Sequence, residues 1–188
     1  MALFVALTAV ATPGEAPHTS LHLLDLAGRR VQPLQAEGAK VTVFVFARID
    51  CPISNRYAPE LQRLHRRFAP AGVRFWLVYP DPGEPPEAIR RHLREFGYGF
   101  HALRDPEHTL VRLTRATVTP EAAVFVGTGG EASLVYRGRI DDRYVDLGRS
   151  RAAPTTRDLE ELLRALGEGR AVAPRTTAAV GCWIGSLE

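Results

Sequence analysis

The chain has 188 residues, 45% of them hydrophobic and 24% charged, which is the composition of one globular domain with a full core. Its formal net charge is +3, carried almost wholly by scattered arginines, and Lys40 is the only lysine. This pattern argues against a nucleic-acid-binding surface, and no apolar run reaches the roughly 20 residues that a membrane-spanning helix needs.

The first residues differ in composition from the rest. Residues 2–11 are apolar apart from Thr8, and Ala-Val-Ala at 9–11 fits the small-x-small pattern of a signal-peptide cleavage site. No Lys or Arg precedes Arg29, so the positive region that normally begins a signal peptide is missing. We expect residues 1–17 to be a leader and the protein to be exported to the periplasm or outside the cytoplasm. The alternative is a plain apolar N terminus on a cytoplasmic protein.

An α/β pattern begins after the leader, and we assign residues 18–169 to one domain. Residues 20–34 alternate loosely around Gly28, which predicts a short β-hairpin. The β-branched and aromatic runs 40–47 and 73–79 predict strands that are buried on both faces.

Helices are predicted after both of these strands. Their apolar residues recur every three or four positions, at Tyr57, Leu61, Leu64 and Phe68 in the first helix and at Ile89, Leu93 and Phe96 in the second. The resulting order of strand, helix, strand and helix is typical of a parallel α/β unit with a right-handed crossover. Residues 105–116 predict one further short helix.

The C-terminal part of the sequence does not continue the alternation of strands and helices. Residues 121–138 predict a β-hairpin around a glycine-rich turn. Residues 154–169 predict a terminal helix that is capped by Thr155 or Thr156. Residues 170–188 are expected to form a tail beyond the domain.

Cys51, one of two cysteines, stands directly after the first long strand and before Pro52. Proline favours the first helical position, so Cys51 is expected to be the N-cap residue, with its sulfur at the positive end of the helix dipole. Such a position lowers a thiol pKa from about 8.5. The alternative is a small buried residue at a strand–helix junction. The carboxyl end of an open α/β sheet is where such folds place their sites, which favours a working thiol.

The segments around Cys51 carry a resemblance to a known family. Residues 41–54 resemble the strand and active-site segment of the thioredoxin-like superfamily. The similarity is to its redoxin branch, which includes TlpA/ResA-type thiol–disulfide oxidoreductases and AhpC/TSA peroxiredoxins. Pro59 is similar to the proline that kinks the thioredoxin active-site helix, and residues 119–125 resemble the segment with the cis-proline that faces the sulfur. The similar segments extend over about residues 20–167.

This resemblance implies both a fold and a function. The fold is expected to be thioredoxin-like α/β, with a mixed sheet of about five strands flanked by helices and an N-terminal β-hairpin. The implied function is thiol–disulfide exchange with Cys51 as the nucleophile, on a protein disulfide or a small thiol or peroxide. Pro52, Ser54, Thr119 and Pro120 are expected to shape its surroundings, with the Thr119–Pro120 bond cis. No cofactor is implied.

Two departures from the family pattern matter. Ser54 stands where a CxxC motif has its second cysteine, so this CxxS motif cannot form the usual internal disulfide. Phe44 and Arg48 occupy the positions at which the peroxiredoxin pattern P-x-x-x-T/S-x-x-C has its proline and hydroxyl residue. The hydroxyl that binds peroxide in that family has no counterpart there, so a thiol peroxidase with an antioxidant role is the second hypothesis.

Cys182 is the only other thiol available to resolve an oxidised Cys51. It lies among small and apolar residues, with Gly181 and Gly185 allowing a close approach on either side. Some peroxiredoxins place a resolving cysteine in a C-terminal tail, so the resemblance allows this role. The surrounding residues, among them Trp183, favour instead a tail that is anchored by apolar packing, with Cys182 as an incidental member.

No metal site is predicted. The six histidines form neither an H-x-x-x-H pair nor a zinc pattern with the cysteines. A non-catalytic redoxin that binds copper through Cys51, Cys182 and a histidine, or that binds a protein, is the third hypothesis. Residues 139–146 cluster three acids but lack the glycine and glutamate of a calcium-binding EF-hand loop, so a solvated loop is expected.

Overall fold

The computed structural model describes residues 21–35 and 39–185, so the predicted leader at residues 1–17 lies outside it. The strands are, in chain order, β1 (Leu23–Leu24), β2 (Arg30–Val31), β3 (Val41–Phe46), β4 (Val73–Tyr79), β5 (His101–Arg104), β6 (Val118–Thr119), β7 (Glu121–Val126), β8 (Ser133–Gly138), β9 (Tyr144–Asp146), β10 (Arg149–Ser150), β11 (Arg175–Thr176) and β12 (Cys182–Trp183). The α-helices are α1 (Pro52–Arg56), α2 (Ala58–Phe68), α3 (Pro86–Glu95), α4 (Thr109–Thr114) and α5 (Asp158–Gly167). None of the helices in these residues is long and apolar enough to cross a bilayer.

The main sheet is mixed, with the strand order β11-β8-β7-β3-β4-β5-β1-β2. Strands β3, β4 and β5 are parallel to one another, while β7 pairs antiparallel with β3 and β8 antiparallel with β7. The predicted mixed α/β sheet is thus confirmed. Its core is the expected five strands, β8-β7-β3-β4-β5. Eight strands are present because the two-residue strands β1, β2 and β11 extend both edges.

Strand β3 lies between two hydrophobic layers, as its uninterrupted apolar sequence predicts. Because side chains alternate along a strand, Val43 and Val45 join one cluster, which α2, α3 and α5 cover. Phe44 and Phe46 join the other, together with α4 and the N-terminal hairpin. Each of these four side chains is fully buried, and burial of each stabilises the fold by about 1.5–3 kcal/mol. The end of β3 is therefore a rigid base for the loop that follows.

The helix after β3 is broken at Tyr57. Helix α1 ends at Arg56 and α2 begins at Ala58, with Pro59 in its first turn. Proline has no backbone N–H, so it cannot continue the hydrogen bonds of the preceding turn. The apolar face predicted for this helix is confirmed, since Tyr57, Leu61, Leu64 and Phe68 are all buried.

The loop at residues 139–146 corrects the expectation of a solvated acidic segment. Asp141 and Asp142 are only 2% and 5% exposed. The carboxylate of Asp141 accepts hydrogen bonds from the Tyr57 hydroxyl at 2.5 Å and from the Arg143 backbone N–H at 2.9 Å. Burial and this contact with Asp141 raise the pKa of Tyr57 well above its usual value. Hydrogen bonds offset the burial of both carboxylates, although Asp141 Oδ2 has no partner among the described residues.

The start of α5 is a second correction. Its N-cap is Arg157, not Thr155 or Thr156. The backbone N–H groups of Thr155 and Thr156 donate to the Asp142 carboxylate at 2.7 and 3.0 Å. The Thr155 hydroxyl also donates to it, and these bonds lower the pKa of Asp142 to about 2. The two threonines therefore form a turn around Asp142 before the helix begins.

Replacement of Tyr57 by phenylalanine tests the buried pair. Tyr57→Phe removes one of the two donors to Asp141 Oδ1 and leaves it the Arg143 backbone N–H. The free energy of unfolding is therefore expected to fall by about 1.5–3 kcal/mol, the usual contribution of a hydrogen bond to a charged group. Urea unfolding measures this as a lower midpoint with an unchanged slope. A double-mutant cycle with Asp141→Asn isolates the coupling between the two side chains, and strictly additive losses would contradict it.

Candidate active site

Cys51 caps helix α1, as its position before Pro52 predicts. Its backbone is extended (φ −83°, ψ 107°), and the backbone N–H of Ser54 points to its sulfur at 3.5 Å. Pro52 occupies the first turn, where its missing N–H leaves no lost hydrogen bond. The residue is 1% exposed and belongs to the core cluster under α2. The cysteine is thus both at a helix N terminus and buried.

The sulfur of Cys51 forms a disulfide with Cys182, with 6.0 Å between the two Cα atoms. This corrects the interpretation of Cys182 as an incidental packing residue. The tail is nevertheless anchored as expected, because Ile184 is buried at 6% exposure in the second core cluster. Packing and pairing act together: the buried Ile184 holds the tail where Cys182 meets Cys51.

The tail reaches Cys51 by pairing with β6. Strand β12 is antiparallel to β6, with Cys182 opposite Thr119 and Trp183 opposite Val118. The backbone N–H of Ile184 donates to the carbonyl of Thr117 at 2.9 Å. A Cβ atom on Gly181 would overlap the Thr119 carbonyl oxygen, so glycine is needed at this close approach.

Thr119 and Pro120 form the wall opposite Cys51. The peptide bond between them is cis, and both residues are buried. The Thr119 carbonyl oxygen lies 3.0 Å from the Cys51 sulfur, and in the reduced protein the thiol can donate to it. The Thr119 hydroxyl donates to the carbonyl of Cys182 at 3.5 Å. Thr119 therefore contacts both halves of the disulfide.

Ser54 contacts the sulfur in a different way from the expected hydroxyl hydrogen bond. The contact is made by its backbone N–H, at 3.5 Å. Its side-chain oxygen is buried and has no hydrogen-bond partner among the described residues. The small side chain at this position thus fills space beside the disulfide.

Glu84 is a site residue that the sequence did not reveal. One carboxylate oxygen accepts the backbone N–H of Ile49 at 2.7 Å, and the other is buried without a partner among the described residues. Burial raises the pKa of Glu84 to about 7. The nearby Asp81 carboxylate also raises this pKa, whereas the hydrogen bond from the Ile49 N–H and the charge of Arg48 lower it. The loop between β4 and α3 brings it there, and no local motif marks it.

The described residues contain no group of three His, Cys, Asp or Glu side chains that is arranged to hold a metal ion. In addition, both sulfurs of the hypothetical copper site are bonded to each other.

Comparison with known proteins adds three findings. The model of the AhpC/TSA family matches residues 14–136 of the chain. No curated protein matches it. Among solved structures, an uncharacterised conserved protein from Geobacillus kaustophilus is 26% identical with a TM-score of 0.75, and the match covers 97% of this chain and 98% of that one.

Two further solved structures share the fold at lower identity. A hypothetical protein from Sinorhizobium meliloti 1021 is 22% identical with a TM-score of 0.73, over 89% of this chain and 91% of that one. A secreted disulfide oxidoreductase from Mycobacterium tuberculosis, described as homologous to E. coli DsbE, is 18% identical with a TM-score of 0.54. That match covers 78% of this chain and 96% of the other.

Gly181→Ala tests the close approach of the tail. The added methyl group forces the backbone away from Thr119, which we expect to cost about 1–3 kcal/mol and to lower the equilibrium constant for disulfide formation about 5- to 150-fold. Titration in glutathione redox buffers, with the Cys51–Cys182 link read by mass, measures this constant. Gly185→Ala is the matched control, because a Cβ there meets nothing within 4 Å. Equal constants in both variants would refute the contact.

Glu84→Gln tests the buried carboxyl through pH. The folded pKa of Glu84, about 7, lies above the usual 4.5, so its stabilising contribution is complete below about pH 4.5 and is lost as pH rises through 7. The wild type should therefore lose stability relative to the Glu84→Gln variant between about pH 5 and pH 8. Urea unfolding across this range measures the difference. Glu87→Gln, at an exposed carboxylate, should give a curve parallel to that of the wild type.

Proposed function

The chain belongs to the AhpC/TSA family, and on that premise we propose that it is a thiol–disulfide oxidoreductase that cycles between the Cys51–Cys182 disulfide and a dithiol. The family match confirms the resemblance to redoxins, and together with the disulfide it supports a thiol-dependent redox function. The observation that carries the proposal is the disulfide itself. It joins cysteines 131 residues apart, beside the buried Thr119–Pro120 peptide bond.

In the proposed cycle Cys51 supplies the activated thiolate. Its position at the N-cap of α1 gives the sulfur a hydrogen-bond donor, the Ser54 backbone N–H at 3.5 Å. Pro52 begins the helix that presents this N–H group. Cys182 replaces the second cysteine of a CxxC motif, since Ser54 cannot form a disulfide.

Thr119 and Pro120 complete the proposed site. Thr119 offers the strand edge that holds the tail cysteine opposite Cys51. Pro120 is buried next to it and donates no backbone hydrogen bond, so it leaves this edge free for the tail. The site thus holds two sulfurs on separate segments of chain, and each exchange makes or breaks the bond between them.

The exchange balances without a cofactor. A partner dithiol is oxidised to a disulfide while Cys51–Cys182 is reduced to two thiols, and two electrons and two protons pass in total. In the opposite direction the protein's disulfide is formed at the expense of a substrate disulfide. Export, as the N-terminal residues predict, would place this pair in an oxidising compartment, where disulfides persist and protein disulfides are available as substrates.

A thiol peroxidase is the less favoured alternative. The peroxiredoxin pattern P-x-x-x-T/S-x-x-C has a proline and a hydroxyl residue before its cysteine, and this chain has Phe44 and Arg48 at those two positions. Phe44 is fully buried in β3, and the guanidinium of Arg48 pairs with Asp50 and Asp81. Neither side chain offers a hydroxyl group to a peroxide at the Cys51 sulfur.

Turnover of a protein disulfide tests the proposal. The wild type is expected to accelerate the reduction of insulin disulfides by dithiothreitol, and Cys51→Ser and Cys182→Ser should each lose about tenfold or more of this acceleration, because neither can form the cycling disulfide. Turbidity of reduced insulin measures the rate. Leu147→Ala, at an exposed side chain, is a control that should keep full activity.

Three equal rates in the wild type and the two cysteine variants would contradict the exchange reaction. Rapid consumption of hydrogen peroxide without insulin turnover would replace it with the peroxidase alternative.

A further inference from the structure

We propose that Cys182, rather than Cys51, is the sulfur that exchanges with partner thiols, and that Cys51 is the internal thiolate that leaves and returns. This inference rests on the proposed function, because it gives the direction of the same exchange. It reverses the roles that the resemblance implies, in which Cys51 is the outward nucleophile and Cys182 resolves it.

Access to the two sulfurs differs. Cys51 is 1% exposed, and its sulfur faces the Ser54 N–H and the Thr119 carbonyl oxygen and is bonded to Cys182. Cys182 is partly exposed, and the next residue, Trp183, is 67% exposed. A thiolate attacks a disulfide sulfur from the side away from the leaving sulfur, so access decides which one reacts. Cys51 lies within the core cluster, whereas Cys182 packs at the edge of that cluster and is the more exposed of the two residues.

The identity of the leaving sulfur also favours attack on Cys182. The sulfur with the lower thiol pKa leaves faster. Attack on Cys182 expels Cys51, whose sulfur has a hydrogen-bond donor in the Ser54 backbone N–H at 3.5 Å and an acceptor in the Thr119 carbonyl oxygen at 3.0 Å. Attack on Cys51 would expel Cys182, which lies in a two-residue strand without a helix terminus. Accessibility therefore selects Cys182, and the Ser54 N–H gives the departing Cys51 sulfur a donor that Cys182 lacks among the described contacts.

The tail is held in place while this happens. Besides the β6–β12 pair, β11 pairs parallel with β8, with Arg175 opposite Tyr136 and Thr176 opposite Arg137. The backbone N–H of Thr177 donates to the carbonyl of Arg137 at 3.0 Å. These contacts do not depend on the disulfide bond, so Cys182 stays near Cys51 when the bond opens.

The proposed exchange has two steps, each of which forms one disulfide bond and breaks another. A partner thiolate attacks the sulfur of Cys182, the bond to Cys51 breaks, and the electron pair leaves on Cys51. The partner's second thiol, deprotonated, then attacks the partner sulfur of the mixed disulfide and releases Cys182 as a thiolate. The partner dithiol ends as a disulfide, and both cysteines of the protein take up protons. In the reverse direction Cys182 attacks a substrate disulfide, and Cys51 then attacks Cys182 to release the substrate thiol.

Trapping the first intermediate tests the assignment. Oxidised wild-type protein is mixed briefly with glutathione, quenched with acid, alkylated with N-ethylmaleimide and mapped by mass. We expect glutathione on Cys182 and maleimide on Cys51, in about tenfold or greater excess over the reverse pattern. The same reaction in denaturant is the control. There both sulfurs are accessible, and the two patterns should be close to equal.

Two results would overturn the inference in distinguishable ways. Glutathione on Cys51, or an equal mixture in the folded protein, would refute the role of Cys182 and leave the exchange function intact. A disulfide that reacts only in denaturant would overturn the proposed function as well, because the bond would then be structural.

Discussion

The contact between the tail backbone and Thr119 is the interaction on which the site depends. Cα atoms joined by a disulfide usually lie 4.4–6.8 Å apart, and Cys51 and Cys182 meet this limit at 6.0 Å. They do so because Gly181 allows the tail to lie against Thr119, whose carbonyl oxygen also touches the sulfur of Cys51. Without that approach the sulfurs of Cys51 and Cys182 would not come close enough to bond.

The two cysteines are held with different strength. The loop that carries Cys51 leaves β3 at the centre of the sheet, where the backbone N–H of Ala47 continues the pairing to Val78 at 2.9 Å, and Glu84 holds the N–H of Ile49 at 2.7 Å. Cys182 is held by two-residue strands and by Ile184. One sulfur is therefore fixed by the fold and covered. The other is partly exposed and is held by short strand pairings at the sheet edge, and this asymmetry underlies the direction of exchange proposed for the pair.

Features that depend on contacts between distant residues are the ones that the sequence does not predict. The long strands and the amphipathic helices were predicted well, because burial on one or two faces leaves a periodic pattern in neighbouring residues. The acidic pattern of residues 139–146 is typical of a solvated loop, yet Asp141 accepts a hydrogen bond from Tyr57, 84 residues earlier, and Asp142 accepts hydrogen bonds from Thr155 and Thr156. Whether a carboxylate is buried depends on such distant partners, which no local pattern records.

The amino-acid sequence alone is enough to predict the α/β fold, the place of Cys51 at a helix N terminus before Pro52, and the lack of a partner cysteine at Ser54. Each of these follows from residues close together in the chain. The pairing of Cys182 with Cys51, the support of the loop by Glu84 and the difference in burial between the two cysteines became visible only in the folded chain. These depend on which distant segments meet, and the two-residue strands that bring the tail to Thr119 are too short to leave a periodic signal.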